Sequence, residues 1–460
     1  LIAEFEITAG KIAEITGGKI EKGNPSVKIK TITSDSREIR EDSLFVALSG
    51  EKFDGHSFIT SLSQEGKISA YLAMKDVEDK GSAVCIKCGD TLKALGAIGN
   101  YARGLVHTNV IGVTGTNGKT TTKEIIYTIL SAEHKTLKSE KNYNNEIGVP
   151  FTLMNLRAEY EFAVIEMGMN HTGEISRLSK MAMPEISVIT GAGEGHLEFL
   201  GSVENVARAK SEIMDGMREG TAVFINKDTQ HYKIFKDTAS KKGLRAVSFG
   251  ITDDADIYPE KYSLSENSIK LKYAGVDFDV PLYGIHNLYN VMAGIAVAGL
   301  YGLNMDDVSR SLKNFINIGG RSQIINKGYI IIDDSYNSNP LSSRYALRSI
   351  KEIYPGKRKI AVLSDMKELG KAEDDCHIEI GKEAAVCGFD MLLLYGKMSE
   401  KYMKGALSSG MKKDAVKIFS GKDELSAHLK NILVEDDVVL IKGSRSMKME
   451  DVVKNITGVL

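Results

Sequence analysis

Short apolar runs recur along the chain and pass into turns rich in Gly, Asp, Glu and Ser. They are Val110-Ile-Gly-Val113, Phe162-Ala-Val-Ile165, Ile186-Ser-Val-Ile189, Ala222-Val-Phe-Ile225, Tyr329-Ile-Ile-Ile332, Ile360-Ala-Val-Leu363, Met391-Leu-Leu-Leu394 and Val438-Val-Leu-Ile441. Between them lie stretches with apolar positions three and four residues apart, the spacing of one helix face. Uninterrupted β-rich runs, as opposed to strict alternation, predict strands buried on both faces, hence parallel sheets with helices on either side. Such sheets bind ligands beyond the carboxyl ends of their strands. Polar residues just after the runs are therefore the first site candidates.

Two breaks divide this pattern. Helical Thr91 to Ala102 ends at Gly104 and a new strand opens near Val110, which places a boundary near residue 106. The second lies at Ile318-Gly-Gly-Arg321, after helix-like Val308 to Phe315, where paired glycines permit a hinge. The expected fold class is α/β in three domains: residues 1–106, residues 107–317 with a parallel sheet, and residues 318–460 with a Rossmann-like sheet. A length of 460 residues agrees, at roughly 150 residues per domain.

Composition narrows the class. The 59 basic and 61 acidic residues leave a formal charge of -2, which argues against a surface that coats nucleic acid. The longest uncharged apolar stretch, Val291 to Leu303, is 13 residues, against the roughly 18 of a membrane span, so a buried helix is expected. Leu1 to Ile7 lacks the layout of a secretory signal. Four cysteines are too few for a disulfide framework and suit a reducing cytoplasm. Cys85-Ile-Lys-Cys88 has metal or redox spacing but no second pair nearby, so a structural role is expected.

The sharpest chemical signal is Val110-Ile-Gly-Val-Thr-Gly-Thr-Asn-Gly-Lys-Thr-Thr-Thr122, a strand, a glycine loop and then a helix. Gly115 and Gly118 let backbone amides turn toward an anion, and the helix N-terminus adds its dipole. Lys119 would reach the β- and γ-phosphates of a nucleoside triphosphate, and Thr120 would offer a hydroxyl to Mg²⁺. The usual phosphate-loop pattern has Gly six residues before the Lys; Val113 stands there, so this loop is a variant. By itself the loop leaves GTPase, kinase, helicase and ligase open. Glu166 closes the run Phe162 to Ile165, and its carboxylate there suits a Mg²⁺ held with Thr120.

The company of the loop narrows the choice. Asn142-Tyr-Asn-Asn-Glu-Ile-Gly-Val-Pro150, Glu166-Met-Gly-Met-Asn-His171, Gly195-His-Leu-Glu198, His286-Asn-Leu-Tyr-Asn290, Asp333-Asp-Ser-Tyr-Asn-Ser-Asn-Pro340 and Lys442-Gly-Ser-Arg-Ser446 follow it in order. Ser34-Asp-Ser-Arg37, Phe45-Val-Ala-Leu48 and Phe53-Asp-Gly-His56 precede it. Over essentially its whole length the chain resembles the Mur ligase family, and within it the branch that adds D-Ala-D-Ala. The resemblance implies ATP-driven amide formation: a UDP-N-acetylmuramoyl-tripeptide carboxylate is phosphorylated, and the amine of D-Ala-D-Ala displaces phosphate. That chemistry belongs to the cytoplasmic part of peptidoglycan precursor synthesis, and a monomer is expected.

The same resemblance assigns roles. The triphosphate would sit on Thr114, Gly115, Thr116, Asn117, Gly118, Lys119 and Thr120, with Arg321 reaching phosphate and Asp334 the ribose. Asn287 and Asn290, one helical turn apart, would read the adenine edge; helix capping is their simpler reading. Two Mg²⁺ ions are implied, the second on His196 and on Lys210 as a carbamate. Residue chemistry alone would leave His196 structural and Lys210 on the surface. Lys119, Glu166, His196 and Lys210 form the expected catalytic set. Ser34, Asp35, Ser36 and Arg37, near Gly55 and His56, would hold the uridine nucleotide in residues 1–106. Asn142, Asn144 and Asn145 suit sugar or pyrophosphate. Tyr336 to Asn339 and Lys442 to Arg445 suit acceptor or nucleotide, and Ser364 departs from the commoner Gly. A sister ligase adding the third peptide residue, or a folylpolyglutamate synthase, is disfavoured by the Ser34 to His56 and Asn144-Asn145-Glu146 segments. A GTPase lacks its base-reading motif, since Asn226-Lys-Asp228 has the wrong spacing and reads as a turn.

Overall fold

All eight apolar runs fall on strands, with only Tyr329 left just outside, and the strands form sheets that follow one another along the chain. The structure, a computed structural model, describes residues 1–50, 53–317 and 319–458, so the expected break at Ile318 lies outside the described residues. The first sheet is mixed, in the order Ile2–Thr8, Lys28–Thr33, Ser43–Val46, Ala70–Ala73, Val84–Lys87 and Lys19–Lys22. Its inner pairs are parallel and its two outermost pairs antiparallel. Helix Thr91–Gly104 closes this region, started by Asp90, whose carboxylate accepts from the amides of Leu92 and Lys93 at 2.9 and 3.0 Å.

The second sheet is parallel throughout, in the order Thr136–Lys138, Phe162–Glu166, Asn109–Thr114, Ile186–Ile189, Ala222–Asn226 and Arg245–Phe249. Strand Asn109–Thr114 comes first in sequence yet lies inside the sheet, with later strands on both sides. The strand order therefore reverses beside its carboxyl end, where open α/β sheets bind ligands. Apolar cores cover both faces, which is why these strands read as continuous apolar runs.

Helix Ile285–Leu300 is the buried helix expected from Val291 to Leu303, though it stops at Leu300. It packs on the phosphate-loop helix Lys119–Ser131 so closely that a Cβ on Gly294 would lie 2.4 Å from Ile125 Cγ2. We expect Gly294→Val to force the helices apart and cost about 1–3 kcal/mol, seen as a lower urea midpoint; an unchanged midpoint would show the helices free to separate. A three-stranded antiparallel sheet, Lys261–Leu264, Ile269–Tyr273 and Val276–Val280, was not expected from the sequence; it adds Ile269, Leu271 and Phe278 to the same core.

The last sheet runs Gln323–Asn326, Ile330–Asp334, Val438–Lys442, Lys359–Ser364, Met391–Tyr395 and Val416–Phe419, parallel except for its first pair. The strand nearest the C-terminus is inserted between two earlier ones. This register sets Asp334 opposite Lys442, and Lys442 opposite Leu363. Residues 108 and 79 positions apart thus meet at the carboxyl ends of central strands. Among the described residues, no helix is long and apolar enough to cross a membrane.

Candidate active site

The carboxyl ends of the second and last sheets face a common cleft of about 610 Å³. On one wall stands the phosphate loop. Gly115 and Gly118 have φ of +151° and +80°, and a Cβ there would lie 1.9 Å from Thr190 Oγ1 and 2.4 Å from Asn290 Oδ1. Glycine is required by conformation and by space alike. Val113 is buried within the strand, so the departure from the usual pattern falls outside the loop. Lys119 Nζ donates to the carbonyls of Gly115 and Thr116 at 2.8 and 3.1 Å. Burial pushes its amine below the usual range, with Glu166 opposing and Arg321 reinforcing. Asn117, Gly118, Thr116 and Thr120 line the cleft. Thr114 does not, because its hydroxyl donates to Met167 O at 2.8 Å inside the sheet.

Glu166 lies beside this loop, 2% exposed, where its strand ends. Its Oε1 accepts from Asn144 Nδ2 at 2.8 Å, whereas Oε2 is buried with no hydrogen-bond partner among the described residues. Sequence reasoning missed what holds it. The Glu166 amide donates to Ser139 Oγ at 3.1 Å, and Lys123, itself buried, donates to Ser139 O at 2.6 Å.

Lys210, on helix Val203–Ser211, is not on the surface. It is 0% exposed and its Nζ has no partner among the described residues. Burial drives its pKa well below 10.5, and Lys119 pushes it further; Glu166, Glu174 and Glu212 oppose. His196 follows strand Ile186–Ile189 in a left-handed conformation, φ +57°, at the start of the short helix Leu197–Leu200. Its Nδ1 lies 2.7 Å from Glu368 Oε2, a residue of the last sheet's region. Burial lowers its pKa; Glu368 opposes, and Lys210 and Lys119 add to the lowering.

The opposite wall comes from the C-terminal region. The Arg321 guanidinium lies 4.1 Å from the Tyr336 ring centre, with Arg445 at 5.5 Å from the same ring, and Arg321 Nε is buried without a partner among the described residues. Asp334 accepts from the Ser322 amide at 3.0 Å and pairs with Lys442, which also donates to Asn337 O at 3.0 Å. Asn287 and Asn290 are buried and do not cap their helix, whose N-cap is Gly284. Asn290 Nδ2 donates to Asn287 Oδ1 at 2.9 Å, and Thr122 Oγ1 donates to Asn290 Oδ1 at 3.1 Å. His286, also on the cleft, is pushed down to about 4 by burial.

Several contacts stitch the walls together, none of them read from the sequence. Asn117 and Asn339 exchange amide hydrogen bonds of 3.2 and 2.7 Å, Glu194 pairs with Arg344, and His196 meets Glu368.

Not every expected residue reaches the cleft. Asn142 and Asn144 line it, but Asn145 Oδ1 accepts from the amides of Ile147 and Gly148 at 3.2 and 2.9 Å, at the start of helix Gly148–Met154. Ser34, Asp35, Ser36 and Arg37 lie apart from it in the first sheet's region, where Arg37 Nε donates to Asp35 Oδ1 at 2.8 Å. Cys85 is half-buried on strand Val84–Lys87, Cys88 is buried just after it, and burial pushes both thiols up. Asn226 ends its strand and accepts from the Asp228 amide at 3.0 Å, as the turn reading expects.

The donors suit magnesium. A free carboxylate oxygen on Glu166 and the Thr120 hydroxyl match an ion that takes one or two carboxylates and completes its shell with phosphate oxygens and water. At His196 and Lys210 the fit is conditional: a buried ammonium repels a cation, and a carbamate supplies oxygen.

The sequence profile of the Mur ligase middle domain matches residues 113–298, that of the Mur ligase glutamate ligase domain residues 320–445, and that of the Mur ligase family catalytic domain residues 28–98. A UDP-N-acetylmuramoyl-tripeptide--D-alanyl-D-alanine ligase of Bacillus subtilis is 34% identical over 459 residues, with 98% of each chain covered. The chain belongs to the Mur ligase family. Among solved Mur ligases, MurF from Acinetobacter baumannii superposes with a TM-score of 0.91 at 29% identity, over 99% of this chain and 100% of that one. MurF ligase from Thermotoga maritima in complex with ADP gives 0.81 at 27% identity, over 92% and 96%. The Mur ligase middle-domain match contains Lys119, Glu166, His196 and Lys210; Arg321, Asp334 and Glu368 fall in the next.

Proposed function

We propose that this Mur ligase is an ATP-dependent amide ligase that joins D-Ala-D-Ala to UDP-N-acetylmuramoyl-tripeptide through an acyl phosphate, a cytoplasmic step in making peptidoglycan precursor. One observation carries the reading: Glu166 Oε2, Lys210 Nζ and Arg321 Nε are buried without partners among the described residues around a phosphate loop, in a chain whose full-length relative bears that name. Buried polar atoms left unpaired are costly; a polyanionic ligand with its cations satisfies Glu166 and Arg321, and conversion to a carbamate turns the Lys210 amine into a metal ligand.

The tripeptide carboxylate attacks the γ-phosphorus of ATP, forming an O–P bond as the bond to the departing ADP breaks. Two anions must approach, and Lys119 and Arg321, on opposite walls, offset their repulsion. Thr116 to Thr120 cradle the phosphates, Asn287 and Asn290 read adenine, and Asp334, oriented by Ser322 and Lys442, holds the ribose. Magnesium, when bound through Thr120 and Glu166 and through His196 and a Lys210 carbamate, supplies further charge neutralisation on phosphate. The dipeptide amine then attacks the acyl carbon, and the tetrahedral intermediate expels phosphate and loses a proton. Ser34, Asp35, Ser36 and Arg37 hold the uridine nucleotide, with Asn142 and Asn144 toward the sugar and pyrophosphate. Both walls of the cleft come from a single chain, which supports a monomer as the active unit.

The test is phosphate release from ATP and UDP-N-acetylmuramoyl-tripeptide with D-Ala-D-Ala or single amino acids as acceptors. We expect release to depend on the dipeptide; release with a single amino acid alone would move the chain to a sister ligase.

A further inference from the structure

The loop that carries His196 is held from outside its own sheet. Glu198 donates its amide to Glu368 O at 3.0 Å, and Gly370, with φ +54°, leaves so little room that a Cβ there would lie 2.9 Å from Glu198 Cα. The Glu368 carboxylate meets His196 Nδ1 at 2.7 Å, close but off the line of a hydrogen bond. Glu194–Arg344 and Asn117–Asn339 anchor the flanks of the same contact. His196 itself sits at φ +57°, a conformation a non-glycine residue keeps only where its surroundings impose it.

From this juxtaposition we propose that Glu368 is a positioning residue: it takes the Nδ1–H of His196 across the interdomain contact, fixes the imidazole in that tautomer and leaves Nε2 as the free acceptor for the reaction centre. A carboxylate behind an imidazole commonly sets which ring nitrogen carries the proton, and removal of such a partner typically costs 10–100-fold in metal affinity or activity. Glu368 belongs to the C-terminal region and His196 to the middle one, so the imidazole is set only while the two are docked. The misaligned contact is then the unloaded form of a bond that straightens as the cleft fills. The inference rests on the reading of His196 as a group of the reaction centre.

The experiment uses the full chain labelled with ¹⁵N-histidine, wild type against Glu368→Ala and Glu368→Gln, with His196→Ala to assign the signal. Long-range proton–nitrogen correlation spectra report the tautomer directly. In the wild type we expect His196 to carry its proton on Nδ1, in Glu368→Ala to revert to the commoner Nε2–H form, and in Glu368→Gln, whose amide oxygen still accepts, to stay on Nδ1. The Glu368 side chain is 44% exposed, so neither variant should unfold. Turnover should fall about 10–100-fold in Glu368→Ala with the KM for ATP little changed, and largely recover in Glu368→Gln. The same tautomer in Glu368→Ala as in the wild type overturns the proposal. If His196→Ala keeps full activity, the parent reading fails instead; if it is inactive while Glu368→Ala is not, only the positioning role is lost.

Discussion

Lys210→Ala loses phosphate release by about 10²–10³-fold, and acetate or formate restores part of it. The prediction follows from where the amine lies. Its Nζ is fully buried without a partner among the described residues, within electrostatic reach of Lys119, and its pKa stands well below 10.5. A depressed pKa favours the neutral amine, the form that adds CO₂: the N–C bond forms, a proton leaves, and a neutral group becomes an anion. An anion at this position is stabilised by Lys119, which had repelled the ammonium. A short carboxylate entering the space left by Lys210→Ala would mimic the carbamate oxygens. A carbamate carbon signal in ¹³C spectra, after equilibration with labelled bicarbonate and absent from Lys210→Ala, would identify the adduct; full activity in Lys210→Ala sinks the assignment.

The same burial has a stability signature of known sign. Between the lowered folded pKa of Lys210 and 10.5, the unfolded chain binds a proton that the folded chain does not, so this group makes stability rise with pH across that window. In bicarbonate-free buffer, Lys210→Met removes that slope and the unpaired amine together. Its urea midpoint should equal or exceed the wild type's, most clearly at the low end of the window.

What was legible in the sequence divides along a physical line. Strands such as Ile330–Asp334 and Val438–Lys442 are buried on both faces, so hydrophobicity alone marks them. Strands Gln323–Asn326 and Lys261–Leu264 are edge strands with exposed or half-exposed side chains, and a polar edge strand looks like a loop in one dimension. Within the site, a motif shows the residues that share one loop, which is why Gly115 to Thr120 could be found as a unit. Partners brought together only by sheet register or domain docking carry no local signal. Asp334 meets Lys442 because the last strand inserts beside Ile330–Asp334, and Asn117 meets Asn339 across 222 positions. Lys210 illustrates the limit from the other side: helical spacing gave its backbone, but burial of its amine depends on what packs over the helix. Asn145 shows how one residue type serves two ends, since an asparagine that caps a helix looks in sequence like one that binds a sugar.

Glu166→Gln isolates a single charge. Glutamine keeps the shape, and its amide oxygen can still accept from Asn144 Nδ2, so the change is confined to the position of the unpartnered Oε2, now an NH₂. A donor there cannot hold a cation. We expect turnover to fall by at least about 10²-fold, and the added affinity that Mg²⁺ gives to ADP binding to vanish, while ADP binding in EDTA stays near the wild type's. Calorimetric titration with and without Mg²⁺ separates the two. Glu166 also opposes the lowering of both Lys119 and Lys210, so its removal drives both amines further toward neutrality. A neutral Lys119 offsets less of the charge on an incoming phosphate. Direct loss of the metal and indirect loss of the lysine charge are distinguishable: the first disappears in EDTA, the second persists there and is relieved as falling pH favours the protonated amine. Retention of the magnesium increment in Glu166→Gln would place the ion elsewhere, and Glu166 would then act on the site only through the two lysines.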